Sequence, residues 1–186
     1  GARRIGKSTI AEEFAKREYR SYLLIDFTIA SNFVKNAFYN YLNDLDTFWM
    51  LIQSEYHAEL FRRESLVIFD EIQKFPKARE AIKYLVKDGR YDFLETGSLI
   101  SIHENVKDIN IPSEEREIKM YPMDFEEFSL AVGERQLLNY IRLCFEKHMP
   151  LDEHMHRKAG LLFREYMLVG GMPKAVCKYL ENGKSF

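Results

Sequence analysis

Short apolar runs alternate with amphipathic stretches along the first half of the chain. Residues 10–19 repeat apolar side chains at spacings of three and four, with charged residues opposite, which predicts a helix. Its predicted apolar stripe comprises Ile10, Ala11, Phe14 and Ala15. Short and nearly continuous apolar runs are typical of strands buried on both faces, and two of them occur, at 21–27 and 66–69. Residues 91–95 are predicted to form a third strand. Strands that alternate with helices favour a parallel α/β sheet.

Helical periodicity fills the intervals between these strands and most of the second half. It predicts helices over 33–61, with a break near Asn43-Asp44, and from Pro76 to Gly89. Residues 118–121 are predicted to form a fourth strand. A capping-box pair, Asp124 and Glu127, then opens an all-helical part. The further predicted helices are 135–148, 152–169 and one that begins at Pro173. The pattern divides the chain into an α/β part, 1–130, and a helical part, 131–186.

Composition excludes several classes of protein. Of 186 residues, 46% are hydrophobic and 30% charged, which is typical of a globular domain. The net charge of −2 gives no sign of nucleic-acid binding through bulk charge. No apolar run approaches the roughly 18 residues of a membrane helix, so we expect no membrane association. Cys144 and Cys177 are predicted to be reduced core thiols of a cytoplasmic protein. His154 and His156 are two residues apart in a predicted helix, so they do not share a face for a metal.

The first eight residues, GARRIGKS, match the phosphate-binding pattern G-x-x-x-x-G-K-[ST]. Glycines at this spacing let backbone N–H groups turn inward to phosphate oxygens, and a helix N-terminus adds positive potential. Lys7 is expected to reach the terminal phosphates of ATP, and Ser8 to ligate Mg²⁺. The predicted nucleotide-binding residues here are Gly1, Ala2, Arg3, Arg4, Ile5, Gly6, Lys7, Ser8 and Thr9.

A second motif is the apolar run Leu66–Phe69 followed by Asp70-Glu71. This is the pattern of a Walker B strand, in which the aspartate holds Mg²⁺ and the glutamate polarises a water. Because neighbouring residues on a strand face opposite ways, Asp70 and Glu71 cannot be equivalent metal ligands. We therefore predict that Asp70 ligates the metal and that Glu71 is the catalytic residue. The glutamate favours hydrolysis over phosphoryl transfer to an acceptor.

Two further segments are candidates. The strand 91–95 ends in Thr96-Gly97-Ser98, where a hydroxyl could contact the γ-phosphate, and the sequence leaves Thr96 and Ser98 as equal candidates. An ordinary strand-to-loop turn explains the same residues. Gly170-Gly171-Met172-Pro173 is explained equally well as the stop of one helix and the start of the next.

The segments GARRIGKST, LVIFDEIQKFP, FLETGSLISI, MYPMDFEEF and VGGMPKAV together resemble a family of bacterial and archaeal AAA+-type ATPases. The resemblance extends to the signal-transduction ATPases with numerous domains. It implies a sheet of order 5-1-4-3-2, with strand 1 missing or reduced here, and a helical lid. It also implies that Gly171 and Pro173 contact adenine. Arg116 is either an arginine finger acting in trans or a solvated side chain.

The function expected from the sequence is binding and hydrolysis of MgATP coupled to a conformational change, with ATP and ADP as ligands. One alternative is a nucleotide-gated switch or interaction module with negligible hydrolysis. Another is a DNA-associated ATPase, so a nucleic-acid partner stays open, as does a homo-oligomer or protein partner. Because no strand precedes the phosphate-binding pattern and no obvious closing element follows it at residues 182–186, we expect the chain to be truncated at both ends.

Overall fold

The computed structural model describes residues 4–97 and 116–185 of the chain. These residues divide into two compact units, of which the first comprises Gly6–Lys119 and the second comprises residues 4–5 and 120–185. The first is an α/β unit and the second is helical, and we describe each by itself. The domain limits expected from the sequence, 1–130 and 131–186, remain a prediction.

The described part of the first unit contains four helices, three strands and one 3-10 turn. In chain order they are α1 (Lys7–Glu18), β1 (Ser21–Asp26), α2 (Asn32–Asn40), α3 (Leu45–Tyr56), β2 (Ser65–Asp70), the 3-10 turn (Ile72–Lys74), α4 (Pro76–Asp88) and β3 (Asp92–Glu95). The three strands predicted before residue 96 are thereby confirmed. The predicted break near residues 43–44 lies between α2 and α3, where the Asp44 carboxylate accepts from the backbone N–H of Thr47 at 3.1 Å.

The three strands form a parallel sheet in the order β1-β2-β3. Asp26 of β1 is the register partner of Asp70 of β2, and Leu66 of β2 is the partner of Asp92 of β3. All six residues of the central strand are buried, as its continuous apolar run predicts. The remaining strand positions of the 5-1-4-3-2 order stay a prediction.

Side chains alternate across the central strand and pack into two different layers. Val67 and Phe69 join an aromatic core with residues of α2, α3 and α4. Leu66 and Ile68 face the opposite way and pack against α1. On α1 only the small residues of the predicted stripe, Ala11 and Ala15, are buried. The two larger residues of the stripe, Ile10 and Phe14, are 55% and 44% exposed.

The predicted fourth strand at 118–121 is wrong for the described residues. Residues 116–120 have no regular secondary structure, and Ile118 and Tyr121 are 76% and 72% exposed. A strand is stable only when a neighbouring strand takes its backbone hydrogen bonds and one face is covered. Neither condition is met for this segment within the part of the chain that is described, although its apolar alternation is typical of a strand.

The second unit consists of helices in its described residues. They are α5 (Phe125–Ala131), α6 (Arg135–Glu146), α7 (Glu153–Val169) and α8 (Pro173–Glu181). The predicted capping box is confirmed, because Asp124 and Glu127 each accept from the backbone N–H of the other, at 2.8 and 3.0 Å. The buried core of the unit is contributed by Phe128, Val132, Leu137, Leu162, Val176 and Tyr179.

The two cysteines differ in environment. Both are free thiols, as predicted, but Cys144 is buried and Cys177 is exposed. The prediction that both belong to the core is therefore wrong for Cys177, which lies on the outer side of the short helix α8. Among the described residues, no helix is both long and apolar enough to cross a membrane.

Candidate functional site

Asp70 and Thr96 lie side by side at the carboxyl edge of the sheet. Asp70 is the last residue of β2 and Thr96 directly follows β3, and they are 7% and 5% exposed. The Thr96 hydroxyl donates to Oδ1 of Asp70. The backbone of Thr96 is fixed as well, since its N–H donates to the Phe69 carbonyl at 2.8 Å and its carbonyl accepts from Ile72 at 3.1 Å. The structure thus brings together two of the predicted site residues.

Glu71 belongs to a turn and is not part of the strand, which corrects one premise of the sequence analysis. β2 ends at Asp70, and Glu71 has the left-handed φ of 52° that starts the 3-10 turn. Strand alternation therefore does not determine where its side chain points. Its N–H faces Oδ1 of Asp70 at 3.2 Å and Oγ1 of Thr96 at 3.5 Å.

The carboxylate of Glu71 is held by a neighbour that the sequence pattern did not single out. The side-chain amide of Gln73 donates from Nε2 to Oε2 of Glu71 at 2.5 Å. Gln73 is itself only 5% exposed. A glutamine two residues after a Walker B glutamate carries no periodic signal, so only the geometry of the turn identifies this contact.

The phosphate-binding pattern leads directly into α1. Gly6 has a φ of 85°, a left-handed conformation that favours glycine, and Lys7 and Ser8 begin the helix. Because Gly6 has no side chain, it cannot cap the first-turn amides of α1, and a helix start without a side-chain cap is suited to an anion. Thr9 is exposed on the first turn. Arg4 also has a left-handed φ, of 62°.

The direction of α1 determines which edge of the sheet its first turn approaches. Tyr19, next to the end of α1, donates its hydroxyl to Oδ2 of Asp92 at 2.8 Å. Asp92 is the first residue of β3, so α1 ends at the amino edge of the sheet. Twelve helical residues span about 18 Å and six strand residues roughly 20 Å. Packed on the sheet, α1 therefore begins near its carboxyl edge, on the same side as Asp70 and Thr96.

A third acid, Asp26, ends β1 at this edge in register with Asp70. Its Oδ1 accepts from the backbone N–H of Thr28 at 2.7 Å, so the carboxylate turns back onto its own loop. A cavity of about 240 Å³ lies beside it and is also lined by Ser31 and Glu55. Asp70 is thus the buried carboxylate that contacts Thr96, whereas Asp26 accepts a hydrogen bond within the loop that follows β1.

The residues predicted to contact adenine lie in the second unit. Gly170 ends α7 with a φ of 75°, and Pro173 is the first residue of α8. A Cβ added to Gly171 would lie 2.0 Å from the carbonyl oxygen of Met123. Glycine is therefore required at 171 by close backbone packing within this unit. That packing neither supports nor opposes a contact of Gly171 or Pro173 with a nucleotide.

Several predicted residues are not placed. Gly1, Ala2, Arg3 and Ser98 lie outside the described residues. The choice between Thr96 and Ser98 therefore stays open for the contact with γ-phosphate, although Thr96 is the one seen to bond Asp70. Arg116 is exposed, which agrees with a solvated side chain and does not test a role in trans.

The side-chain oxygens of the site show whether it could hold Mg²⁺. The described residues contain no group of three or more His, Cys, Asp or Glu side chains that could hold a metal alone. Mg²⁺ in nucleotide sites is commonly held by one or two protein oxygens together with phosphate oxygens and water. A single buried carboxylate at the sheet edge, Asp70, fits that requirement, and Ser8 at the start of α1 would add a hydroxyl.

Comparison with known proteins gives one result. The sequence profile of a family described as an AAA domain matches residues 1–129, which is more than half of the chain. No curated protein and no solved structure gives a significant match. The matched range contains the phosphate-binding pattern, Asp70, Glu71 and Thr96.

Proposed function

Because the chain belongs to the AAA-domain family, a class of nucleotide-binding ATPase domains, we propose that it binds MgATP, hydrolyses it and couples the turnover to a conformational change. The observation that supports this best is the contact between Asp70 and Thr96 at the carboxyl edge of the sheet, with Glu71 turned out beside it. In parallel α/β sheets this edge is where ligands bind.

Phosphate binding is assigned to the loop of residues 1–9. Its backbone N–H groups and the start of α1 offer donors and positive potential to phosphate oxygens, and Lys7 adds a full charge. Ser8 and Asp70 would hold Mg²⁺, which supplies charge neutralisation at the β- and γ-phosphates. The contact with Thr96 supports this role, since it fixes a carboxylate, a ligand type that Mg²⁺ prefers, at the carboxyl edge of the sheet.

Water activation is assigned to Glu71. The support is that Glu71 directly follows Asp70 at the carboxyl edge of the sheet and that its carboxylate is held there by Gln73. A carboxylate there orients a water for in-line attack on the terminal phosphate. Thr96 keeps Asp70 in place and, together with Ser98, is the candidate for a hydroxyl that detects the γ-phosphate.

Conformational coupling is assigned to the helical second unit as a lid. Under this proposal Gly171 and Pro173 line the adenine side of the nucleotide, so that ATP orders the lid. The support is the sequence resemblance, in which both residues belong to the VGGMP motif.

The test is a steady-state phosphate-release assay on the full-length protein, combined with MgATP binding. Glu71→Gln keeps the size of the side chain and removes its charge. We expect it to retain MgATP affinity within about threefold and to lose about 10²–10⁴-fold in rate. Glu80→Gln is the control, because Glu80 lies on the surface of α4, where it pairs with Lys77 at 3.1 Å.

Binding is tested separately by Lys7→Ala, with the exposed Lys83→Ala of α4 as its control. Lys7→Ala should abolish the thermal stabilisation by MgATP, and Lys83→Ala should leave it intact. A parent that binds MgATP without any turnover would support the nucleotide-gated switch. A parent that binds no nucleotide would refute the whole proposal.

A further inference from the structure

Gln73 occupies an unusual position for a buried amide. It lies in the 3-10 turn after β2 with only 5% of its surface exposed, and its Nε2 donates to Oε2 of Glu71 at 2.5 Å. Its other polar atom, Oε1, is buried and accepts no hydrogen bond from any described residue. One end of the amide is therefore bonded to the proposed catalytic carboxylate, while the other end is unsatisfied.

Folding stability alone does not explain a glutamine here. A buried carbonyl oxygen without a donor is unfavourable, because it loses its hydrogen bonds to water on folding. An apolar side chain of similar length, such as methionine, would fill the same space without that cost. The contact that glutamine makes at this position, and methionine cannot, is the N–H bond to Glu71.

The backbone around Gln73 is rigidly held on both sides. Ile72 donates its N–H to the carbonyl of Thr96 at 3.1 Å, and Lys74 donates to the carbonyl of Glu71 at 2.8 Å. The side chain of Ile72 is buried in the aromatic core, with 1% exposed. Gln73 is therefore an anchor whose place is set by β3 and by the core.

The carboxylate of Glu71, in contrast, ends a side chain with several rotatable bonds. A hydrogen bond from a fixed amide to a charged oxygen is stronger than a neutral one and selects one orientation. With Oε2 bonded to Gln73, the second oxygen, Oε1, has no bond to a described side chain. It is the oxygen left to accept a hydrogen bond from a water.

We propose that Gln73 is a positioning residue for hydrolysis, and that it holds one oxygen of Glu71 so that the other is directed at the attacking water. The inference rests on the hydrolytic function proposed above. It concerns geometry at the transition state, so Gln73 affects turnover and leaves the affinity for ground-state MgATP unchanged.

The test compares Gln73→Met with the parent in the full-length protein. The variant keeps side-chain length and removes the donor together with the unsatisfied carbonyl. We expect kcat to fall by roughly tenfold, because small displacements of a catalytic group cost one to two orders of magnitude. KM and the Kd of MgATP should stay within twofold, and Tm should be unchanged or higher.

Gln53→Met is the matched control with the opposite expectation. Gln53 uses both ends of its amide structurally, since it donates to the Trp49 carbonyl at 3.2 Å and accepts from the N–H of Leu60 at 2.7 Å. Its replacement should lower Tm while leaving the kcat of the folded protein at the parental value.

The outcomes separate this inference from the proposed function. If Gln73→Met turns over ATP at the parental rate or faster, while Glu71→Gln is inactive, the positioning role is refuted and hydrolysis stands. A fall in Tm that parallels the loss of kcat would show a structural role and also refute the inference. A parent without turnover refutes the proposed function and this inference with it.

Discussion

The backbone N–H of Met123 donates to the carbonyl oxygen of Gly171 at 2.7 Å. The carbonyl of Met123 in turn accepts from the Tyr166 hydroxyl at 3.0 Å. The first of these bonds joins the segments MYPMDFEEF and VGGMP, in which Met123 and Gly171 are 48 residues apart along the chain (171 − 123). The two motifs therefore pack against each other within the helical unit.

A methyl group at position 171 should disrupt this contact. In Gly171→Ala the added Cβ meets the Met123 carbonyl at 2.0 Å, and overpacking of this kind costs about 1–3 kcal/mol. We expect a lower midpoint in urea unfolding followed by circular dichroism. Gly160→Ala is the control, because nothing lies within 4 Å of a Cβ there and alanine gains roughly 0.5–1 kcal/mol inside a helix. Equal midpoints for the two variants would contradict the packing explanation.

The hydroxyl of Thr96 should matter more than its methyl group. Thr96→Val keeps the shape but removes a donor to the buried Asp70, which leaves that carboxylate with fewer partners. The free energy of unfolding should fall by about 1–3 kcal/mol, and turnover by tenfold or more. Thr96→Ser, which keeps the hydroxyl, should retain most of both. Thr28→Val tests an exposed threonine at the same edge and should be neutral in each assay.

The adenine role of Pro173 can be tested through base selectivity. If Pro173 lines the base, Pro173→Ala should reduce the preference for ATP over GTP and leave the Kd of inorganic triphosphate unchanged. Pro76→Ala is a matched control, since Pro76 is the first residue of α4 as Pro173 is of α8. Competition binding with ATP, GTP and inorganic triphosphate measures the three Kd values. If Pro173→Ala keeps the parental preference for ATP over GTP, Pro173 does not contact the base and serves only to begin α8.

Tyr19 should make stability depend on alkaline pH. Burial and the hydrogen bond to Asp92 raise the pKa of Tyr19 to about 12. The unfolded state ionises first, near pH 10, so it binds fewer protons than the folded state between pH 10 and 12. The stabilisation is therefore complete below pH 10 and is lost as pH rises through 12.

The measurement is the urea midpoint at pH 8 and pH 11 for the parent and Tyr19→Phe. The urea midpoint of the parent should exceed that of Tyr19→Phe by less at pH 11 than at pH 8, because only the parent has the hydroxyl that titrates. Tyr84→Phe, in which an exposed tyrosine is replaced, should follow the parent at both pH values. A constant difference for Tyr19→Phe would show that the hydroxyl does not titrate with folding.

Local pattern predicted the three strands before residue 96 and the helices around them, and it singled out the candidate residues by type and spacing. The run Leu66–Phe69 predicted a strand buried on both faces because every one of its side chains is apolar. The pair Asp124 and Glu127 predicted a helix start because both capping bonds are made within four residues. Such signals are complete within a short stretch of chain, so they can be identified without knowing what the stretch packs against.

Contacts between distant segments required the tertiary structure. The hydroxyl of Thr96 meets Asp70 only because Leu66 and Asp92 are in register, and nothing in either segment specifies that register. The exposed segment 118–121 also required the tertiary structure. Its apolar alternation predicts a strand, but among the described residues no strand lies beside it to pair with its backbone.

The sequence by itself determined which side chains could carry phosphate, metal and water chemistry, because residue type and local spacing decide that. The tertiary structure alone decided how Glu71 is held, because the left-handed turn after Asp70 brings the amide of Gln73 back onto its carboxylate. It also decided why residue 171 must be glycine, since the carbonyl that excludes a side chain there belongs to Met123, far away along the chain.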